Sequence, residues 1–205
     1  MLRVMPQSWE REPPRDWVER EAYRIAMEIR RLRDKRDRSA QWLADRTAEL
    51  GSPITRNVIA DIENGRRRYV TTAELSVFAA ALETAPIALL FPGPYDEDTA
   101  EVIPDVKTTQ LWALQWFSGV DEKEPNRALP TDRDQYDRNL KRLRVARQLQ
   151  ELQAAKAEYV QRALGPAEAK AEMERRLGVH IERIIDSITA QIDELKEQLR
   201  AEYGG

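Results

Sequence analysis

The chain has 205 residues, of which 34% are charged, and it carries no cysteine, a single histidine and a formal net charge of −3. Without cysteine there is no disulfide framework, thiol nucleophile, zinc finger or iron–sulfur cluster. One histidine without a supporting motif predicts no metal site and no Ser–His–Asp site. Since no phosphate loop or nucleophile–base pattern appears either, we expect no enzymatic activity and no cofactor.

The charges are unevenly distributed along the chain. Residues 24–70 hold 12 Lys and Arg against 7 Asp and Glu, residues 93–136 hold 4 against 10, and residues 137–205 hold 13 against 12. This order of basic, acidic and balanced stretches predicts three segments with different roles. No apolar run is long enough for a signal peptide or a membrane span, which predicts a cytoplasmic protein without a membrane partner.

Apolar spacing predicts an all-α fold that begins after a flexible arm. Residues 1–16 combine prolines and charges without periodicity, and we interpret them as the arm. Residues 17–92 carry five short helical patterns, with N-caps at Asp16, Ser39 and Thr55. No stretch of this range has the alternation of a strand, so we expect a compact five-helix domain.

An acidic stretch rich in Gly, Pro, Asp and Glu follows the predicted domain. We interpret residues 93–135 as a linker that contains one short amphipathic helix over 107–117. This helix carries the aromatic residues Trp112, Trp116 and Phe117. Such clusters more often pack a helix on its own domain or on a partner subunit than form a small-molecule pocket.

Residues 136–205 have the pattern of two long helices, over about 136–164 and 167–203, separated by Gly165-Pro166. The short break favours an antiparallel hairpin. The second helix has apolar residues at steps of three and four, which is typical of a coiled coil. The residues of this seam are Leu177, Ile181, Ile184, Ile188, Ile192, Leu195 and Leu199. Because a lone hairpin buries little surface, we expect this region to form a homo-oligomer, a dimer first.

The most specific motif lies in the basic segment, where SAQWLA over residues 39–44 is followed by ITRNVIADIENGRRR over 54–68. This pattern resembles the helix-turn-helix of the Xre/Cro repressor family, over about residues 25–91. The resemblance implies a domain that binds double-stranded DNA through a recognition helix ending in Ile-Glu-Asn-Gly. The chain departs from the family in two places. Ala40 stands where the family often has Gln, and the turn 47–53 is longer, which adds about a turn of helix and allows a different angle between the two helices.

The resemblance also implies contacts to DNA phosphates from both ends of the motif. Helix N-termini and exposed cations are the groups that hold phosphates without reading sequence. The implied phosphate-binding residues are Ser39, Gln41, Asn64, Arg66, Arg67 and Arg68. A basic cluster between Arg30 and Arg38, near the end of the first helix, either adds to these contacts or is a solvated helix end.

Base readout requires polar side chains on the first turn of the helix that enters the major groove. Thr55, Arg56 and Asn57 occupy that turn, and Ala60 and Asp61 follow one turn later. Arginine forms bidentate bonds to guanine, asparagine to adenine, and aspartate accepts from cytosine N4. We therefore expect these five residues to read the bases.

Three functions stay open at this point. The first is a sequence-specific transcriptional regulator, expected to be a repressor, which acts as a dimer on a two-fold symmetric operator. The second is a DNA-organising protein that binds with little sequence preference and bridges distant sites. The third is an antitoxin-like adaptor whose helical tail docks a partner protein.

Overall fold

The computed structural model describes residues 8–95, 99–120, 129 and 132–203. The chain is mostly helical, as expected, and divides into two compact units between Leu129 and Pro130. No helix within the described ranges has both the length and the apolar character for crossing a membrane. The first unit contains α1 (Ser8–Arg11), α2 (Trp17–Asp34), α3 (Ala40–Glu49), α4 (Arg56–Glu63), α5 (Thr72–Ala81), α6 (Pro86–Leu90), β1 (Thr99–Ile103), β2 (Val106–Thr109) and α7 (Gln110–Phe117). The second contains α8 (Arg133–Ala163), α9 (Ala167–Leu177) and α10 (Ile181–Tyr203).

Side-chain caps define where the helices of the first unit begin. The Asp16 carboxylate accepts from the backbone N–H of Glu19 at 2.9 Å, and the Ser39 hydroxyl accepts from the N–H three residues later at 3.1 Å. Thr71 caps α5 in a reciprocal arrangement with Glu74. A cap depends only on residues within one turn, which is why the predictions for Asp16 and Ser39 are confirmed.

The elements from α2 through α7 share one hydrophobic core. Leu43 of α3, Ile59 and Ile62 of α4 and Phe78 of α5 are at most 1% exposed. The spacing of Ile59 and Ile62 turns one face of α4 inward, against α2 and α3. The opposite face of this eight-residue helix is left for solvent or a ligand.

Residues 99–117, which lie within the predicted linker 93–135, form two strands and a helix that pack on this core, so the prediction of a linker is wrong for them. Residues 96–98, 121–128, 130 and 131 of the predicted linker lie outside the described residues. β1 and β2 form an antiparallel hairpin, with Glu101 opposite Lys107. Ala100 and Val102 alternate into the core, and the Trp17 indole donates to the carbonyl oxygen of Glu101 at 3.1 Å. The short helix begins at Gln110 and not at 107. The acidic composition of this stretch led to the prediction of a linker, whereas the alternation of residues in Thr-Ala-Glu-Val-Ile indicates a strand.

The aromatic helix α7 packs on its own unit. Trp112 is 5% exposed and stacks on Trp116, with ring centroids 6.1 Å apart. Phe117 meets Phe91 edge to face at 5.9 Å. Trp112 and Trp116 therefore pack in the core of the first unit, which is the first of the two uses expected from the sequence, while Phe117 is 53% exposed at its edge.

The end of the predicted arm is also folded. Trp9 of α1 is 5% exposed, and its indole N–H donates to the carbonyl oxygen of Ile62 at 3.2 Å. The ring lies over Gly65, which has φ +73°, and a Cβ there would come within 2.4 Å of the ring. A single tryptophan in a four-residue helix has no periodicity, so the interpretation of residues 8–16 as a flexible arm was wrong. Residues 1–7 lie outside the described residues.

The second unit is built on an antiparallel pair of helices. Lys141 and Arg142, near the start of α8, bond to Glu202 at the end of α10, which confirms the antiparallel direction. The second predicted helix is interrupted, however: α9 ends at Leu177 with Gly178 as its C-cap, whose φ of +68° suits glycine, and α10 begins at Ile181.

The predicted apolar seam is largely used inside this unit. Four of its residues, Ile181, Ile188, Ile192 and Leu195, are buried in the single chain, where α10 packs along α8. Ile184 and Leu199 are half-buried, and Leu177, before the break, is 46% exposed. The seam therefore stabilises the hairpin itself.

Candidate nucleic-acid interface

The first turn of α4 presents three exposed polar residues. Thr55 is the N-cap, and its hydroxyl accepts from the N–H of Val58 at 3.4 Å. The side chains of Arg56 and Asn57 are exposed and make no hydrogen bond or ion pair with any residue that the structure describes. The inward turn of Ile59 and Ile62 leaves these side chains on the outer surface, where an arginine and an amide are available to a base edge.

An open cleft separates the start of α4 from α3. Its lining residues are Gln41, Ala44, Asp45, Pro53, Ile54, Thr55, Arg56 and Asn57. The Gln41 amide donates to the Asp45 carboxylate at 2.8 Å. This bond lies within one turn of α3 at the surface, so it is easily exchanged for water or for a phosphate oxygen. The structure thus brings Gln41 together with the predicted base-reading residues of the first turn.

The N-terminus of α3 adds a cation that the sequence analysis did not single out. Ser39 is exposed and its hydroxyl caps the helix. The Arg38 guanidinium lies over the Trp42 ring, 5.4 Å from its centroid, and has no carboxylate partner among the described residues. The sequence analysis noted the basic cluster between Arg30 and Arg38 as a whole. The stacking on Trp42 is what distinguishes Arg38 from the other basic residues of that cluster. An arginine beside a helix N-terminus favours an anion there.

The second predicted base-reading turn is partly occupied. Ala60 and Asp61 are half-buried, and the Asp61 carboxylate accepts from Arg66 at 2.5 Å. Arg66 remains 59% exposed. The pair offsets the charge by which Asp61 disfavours phosphates, and it holds Arg66 against α4.

Arg67 and Arg68 bond to carboxylates of their own unit. Arg67 forms two bonds to Glu74, at 2.6 and 2.9 Å, and stacks on Tyr69. Arg68 bonds to Glu19 at 2.7 Å and to the carbonyl oxygen of Glu12 at 2.8 Å. With side chains 19% and 14% exposed, these arginines fasten α5 and the N-terminal segment.

Asn64 lies at the other end of α4 from Thr55. It is the C-cap residue, is half-buried, and makes no side-chain bond within the described part of the chain. The predicted phosphate-binding residues therefore fall into three places: Ser39 and Gln41 beside the cleft, Asn64 and Arg66 at the end of α4, and Arg67 and Arg68 in internal ion pairs. The sequence shows that these residues belong to one motif, but it does not show which side chains pair with them.

A buried ion pair holds α4 on α2. Arg33 and Glu63 form two bonds, at 2.9 and 2.8 Å, with side chains 11% and 8% exposed. Arg33 also donates to the carbonyl oxygen of Arg38, just before α3. One guanidinium thus joins the last turn of α4 to the start of α3. Sequence reasoning counted Arg33 in a surface cluster, because nothing local identifies its partner 30 positions away.

The N-terminal segment is held by charge at Glu19. The Arg15 guanidinium and backbone N–H, and then Arg68, bond to this carboxylate, and they lower the pKa of Glu19 to about 2 against the opposing effect of burial. Because the folded-state pKa lies below the ordinary value, the stabilisation is fully present above pH ~4.3 and is lost as the pH falls toward 2.

We expect the Glu19 carboxyl to titrate at about pH 2 in the folded protein, which carbon NMR of the side chain measures directly. The fluorescence of Trp9 should respond over the same range as α1 loosens, and Glu19→Gln should remove that response above pH 2. A midpoint near the unperturbed value of ~4.3 contradicts the assignment of these contacts.

One cluster of potential metal ligands occurs among the described residues, at the break between α9 and α10. It consists of Glu174, His180 and Glu182. Glu174 already accepts from the N–H of Ile181 at 3.0 Å, and Glu182 pairs with Lys170. The carboxylates therefore cap a helix and form an ion pair, and exposed His180 flanks them.

The comparisons with known proteins returned nothing for this chain. No family model matches it, and neither the curated proteins nor the solved structures gave a match.

Proposed function

We propose that this chain is a DNA-binding transcriptional regulator in which α3 and α4 form a helix-turn-helix. In this proposal the first turn of α4 enters the major groove, where Arg56 and Asn57 bond to base edges. The observation that carries it is that both side chains are exposed and have no partner within the described residues. A long side chain left unpaired on a rigid helix retains its bonding capacity for a ligand.

The charges around α4 support the same partner. Arg38 at the N-terminus of α3 and Arg66 beyond α4 are the cations we propose for phosphate contact, with Ser39, Gln41 and Asn64 as polar additions. Arg67 and Arg68 are left out of the interface because carboxylates already bind them. We expect a domain of this kind to repress transcription when it binds an operator.

Selection of bound duplexes from a random DNA pool, at near-physiological salt, tests the proposal. The expected result is enrichment of a two-fold symmetric motif with half-sites one helical turn, or a multiple of it, apart. Binding without enrichment favours the DNA-organising alternative. A protein that binds no duplex contradicts the proposal and directs the search to a protein partner for the helical tail.

The dimer in this proposal is formed by the second unit. The four buried seam residues already pack within the hairpin. The proposed contact between two chains is therefore made by Ile184 and Leu199, which are half-buried residues of the same seam that a second hairpin can cover. We expect light scattering at micromolar concentration to give twice the chain mass of 23.7 kDa. A monomer under those conditions contradicts the dimer.

A further inference from the structure

The connection between α3 and α4 is long, yet it is closely bonded. Leu50 is the C-cap of α3, and Gly51, with φ +81°, turns the chain. The N–H of Gly51 donates to the carbonyl oxygen of Ala48 at 2.9 Å, and that of Ser52 to Thr47 at 3.2 Å. These bonds account for the first half of the turn and lead back to Thr47.

The hydroxyl of Thr47 joins α3 to the far end of this connection, at Ile54. Thr47 is 0% exposed. Its Oγ1 accepts from the N–H of Ile54 at 2.9 Å and donates to the carbonyl oxygen of Ala44 at 2.8 Å. A buried hydroxyl rarely lacks partners, but here one partner lies in α3 and the other lies directly before the N-cap of α4.

The position of Ile54 makes this bond important for α4. Ile54 is buried and directly precedes Thr55, the N-cap of the helix. Ile54 and Ala44 both line the cleft beside Arg56. The Thr47 hydroxyl therefore fixes where α4 starts relative to α3, although it touches none of the exposed side chains.

We infer that Thr47 is a positioning residue that sets the angle at which α4 meets DNA, and that it determines sequence specificity more than overall affinity. This inference rests on the proposed function. Bidentate base contacts need the arginine and the amide within a narrow geometry, whereas contacts to phosphates tolerate displacement. Loss of the hydroxyl therefore lowers the preference for the selected site.

The test compares Thr47→Val, Thr47→Ser and Thr108→Val in the full chain. Two quantities are measured: hydrogen exchange of the Ile54 amide by NMR, and the ratio of affinities for the selected site and for random duplex. Thr47→Val should raise the exchange rate and lower the ratio, each by about tenfold. Thr47→Ser keeps the hydroxyl and should restore both.

Thr108→Val is the matched control. Thr108 is 3% exposed, in β2 of the same unit, and its hydroxyl has no hydrogen-bond partner among the described residues. The same chemical change there should leave the Ile54 amide and the affinity ratio unchanged.

Four results overturn the inference: rapid exchange of the Ile54 amide in the unmodified protein, continued protection of that amide in Thr47→Val, an unchanged affinity ratio after Thr47→Val, or a lost ratio in Thr47→Ser with the amide still protected. The first needs no variant, so it decides even if Thr47→Val does not fold. Absence of DNA binding by the unmodified protein refutes the proposed function, whereas protection of the Ile54 amide in Thr47→Val refutes the positioning role alone.

Discussion

Replacing Arg56 with alanine is expected to weaken binding to the selected operator by about 5- to 150-fold while leaving binding to random duplex nearly unchanged. The range corresponds to ~1–3 kcal/mol, the usual discrimination from one bidentate contact between arginine and guanine. Competition binding at a fixed salt concentration, with the selected and random duplexes measured side by side, gives both affinities.

The structure explains why Arg56 should act on specificity. Its guanidinium forms no ion pair within the described residues, so alanine removes no intramolecular bond. The residue lies on the first turn of α4, whose position is held from below by the buried Ile59 and Ile62. The loss is therefore one of contact with the ligand and not one of folding.

Arg66→Ala is the matched control for this experiment. Arg66 is also exposed, but it lies beyond the C-terminal end of α4 and pairs with Asp61. As a phosphate contact it should lower both affinities equally and flatten the salt dependence by about one unit. Equal losses on both duplexes for Arg56→Ala place that residue on phosphate and contradict its role in base readout.

Sequence reasoning was most successful where the determinants are local. The caps at Asp16, Ser39 and Thr55 each act within one turn, and the apolar face of α4 follows from a spacing of three residues. These features placed the exposed first turn of α4 before any tertiary contact was known.

Long-range partners were outside the reach of the same reasoning. Arg67 and Arg68 look like any basic run that follows a helix, and only the fold brings Glu74 and Glu19 to them. Nothing near Trp9 in the sequence predicts that it is buried, since the residue it packs against is a glycine 56 positions later. A positive-φ glycine predicts a turn, but it does not predict that an aromatic ring covers it.

The apolar seam of α10 shows a different limit. Its steps of three and four residues correctly indicate a helix that packs on another helix. The pattern is the same whether the second helix comes from the same chain or from another. Here α8 supplies it, and Gly178 separates Leu177 from the rest of the seam. The apolar spacing of α10 therefore does not identify the helix that covers it, and the turns between the helices decide which helix that is.

The largest effect on stability is expected at Glu63. Glu63→Ala leaves the guanidinium of Arg33, 11% exposed, without its bidentate partner. Breaking a buried pair from one side costs about 3–5 kcal/mol, and we expect the lower end because Asp34 remains 2.7 Å from Arg33. All five tryptophans of the chain lie before residue 117, so tryptophan fluorescence during urea unfolding reports on the first unit alone.

Two comparisons separate a buried charge from a general loss of packing. Glu49→Ala removes the partner of Arg46 from a surface pair in which Glu49 is 64% exposed, and it should cost less than ~1 kcal/mol. The double change Arg33→Met with Glu63→Leu removes both charges and should recover most of the stability, since apolar replacements of buried pairs are often neutral. If the double variant is as unstable as Glu63→Ala, the pair does not act through an uncompensated charge. If Glu63→Ala is as stable as Glu49→Ala, the last turn of α4 is held by Trp9 and the core. The link between α2 and α4 then passes through packing and not through charge.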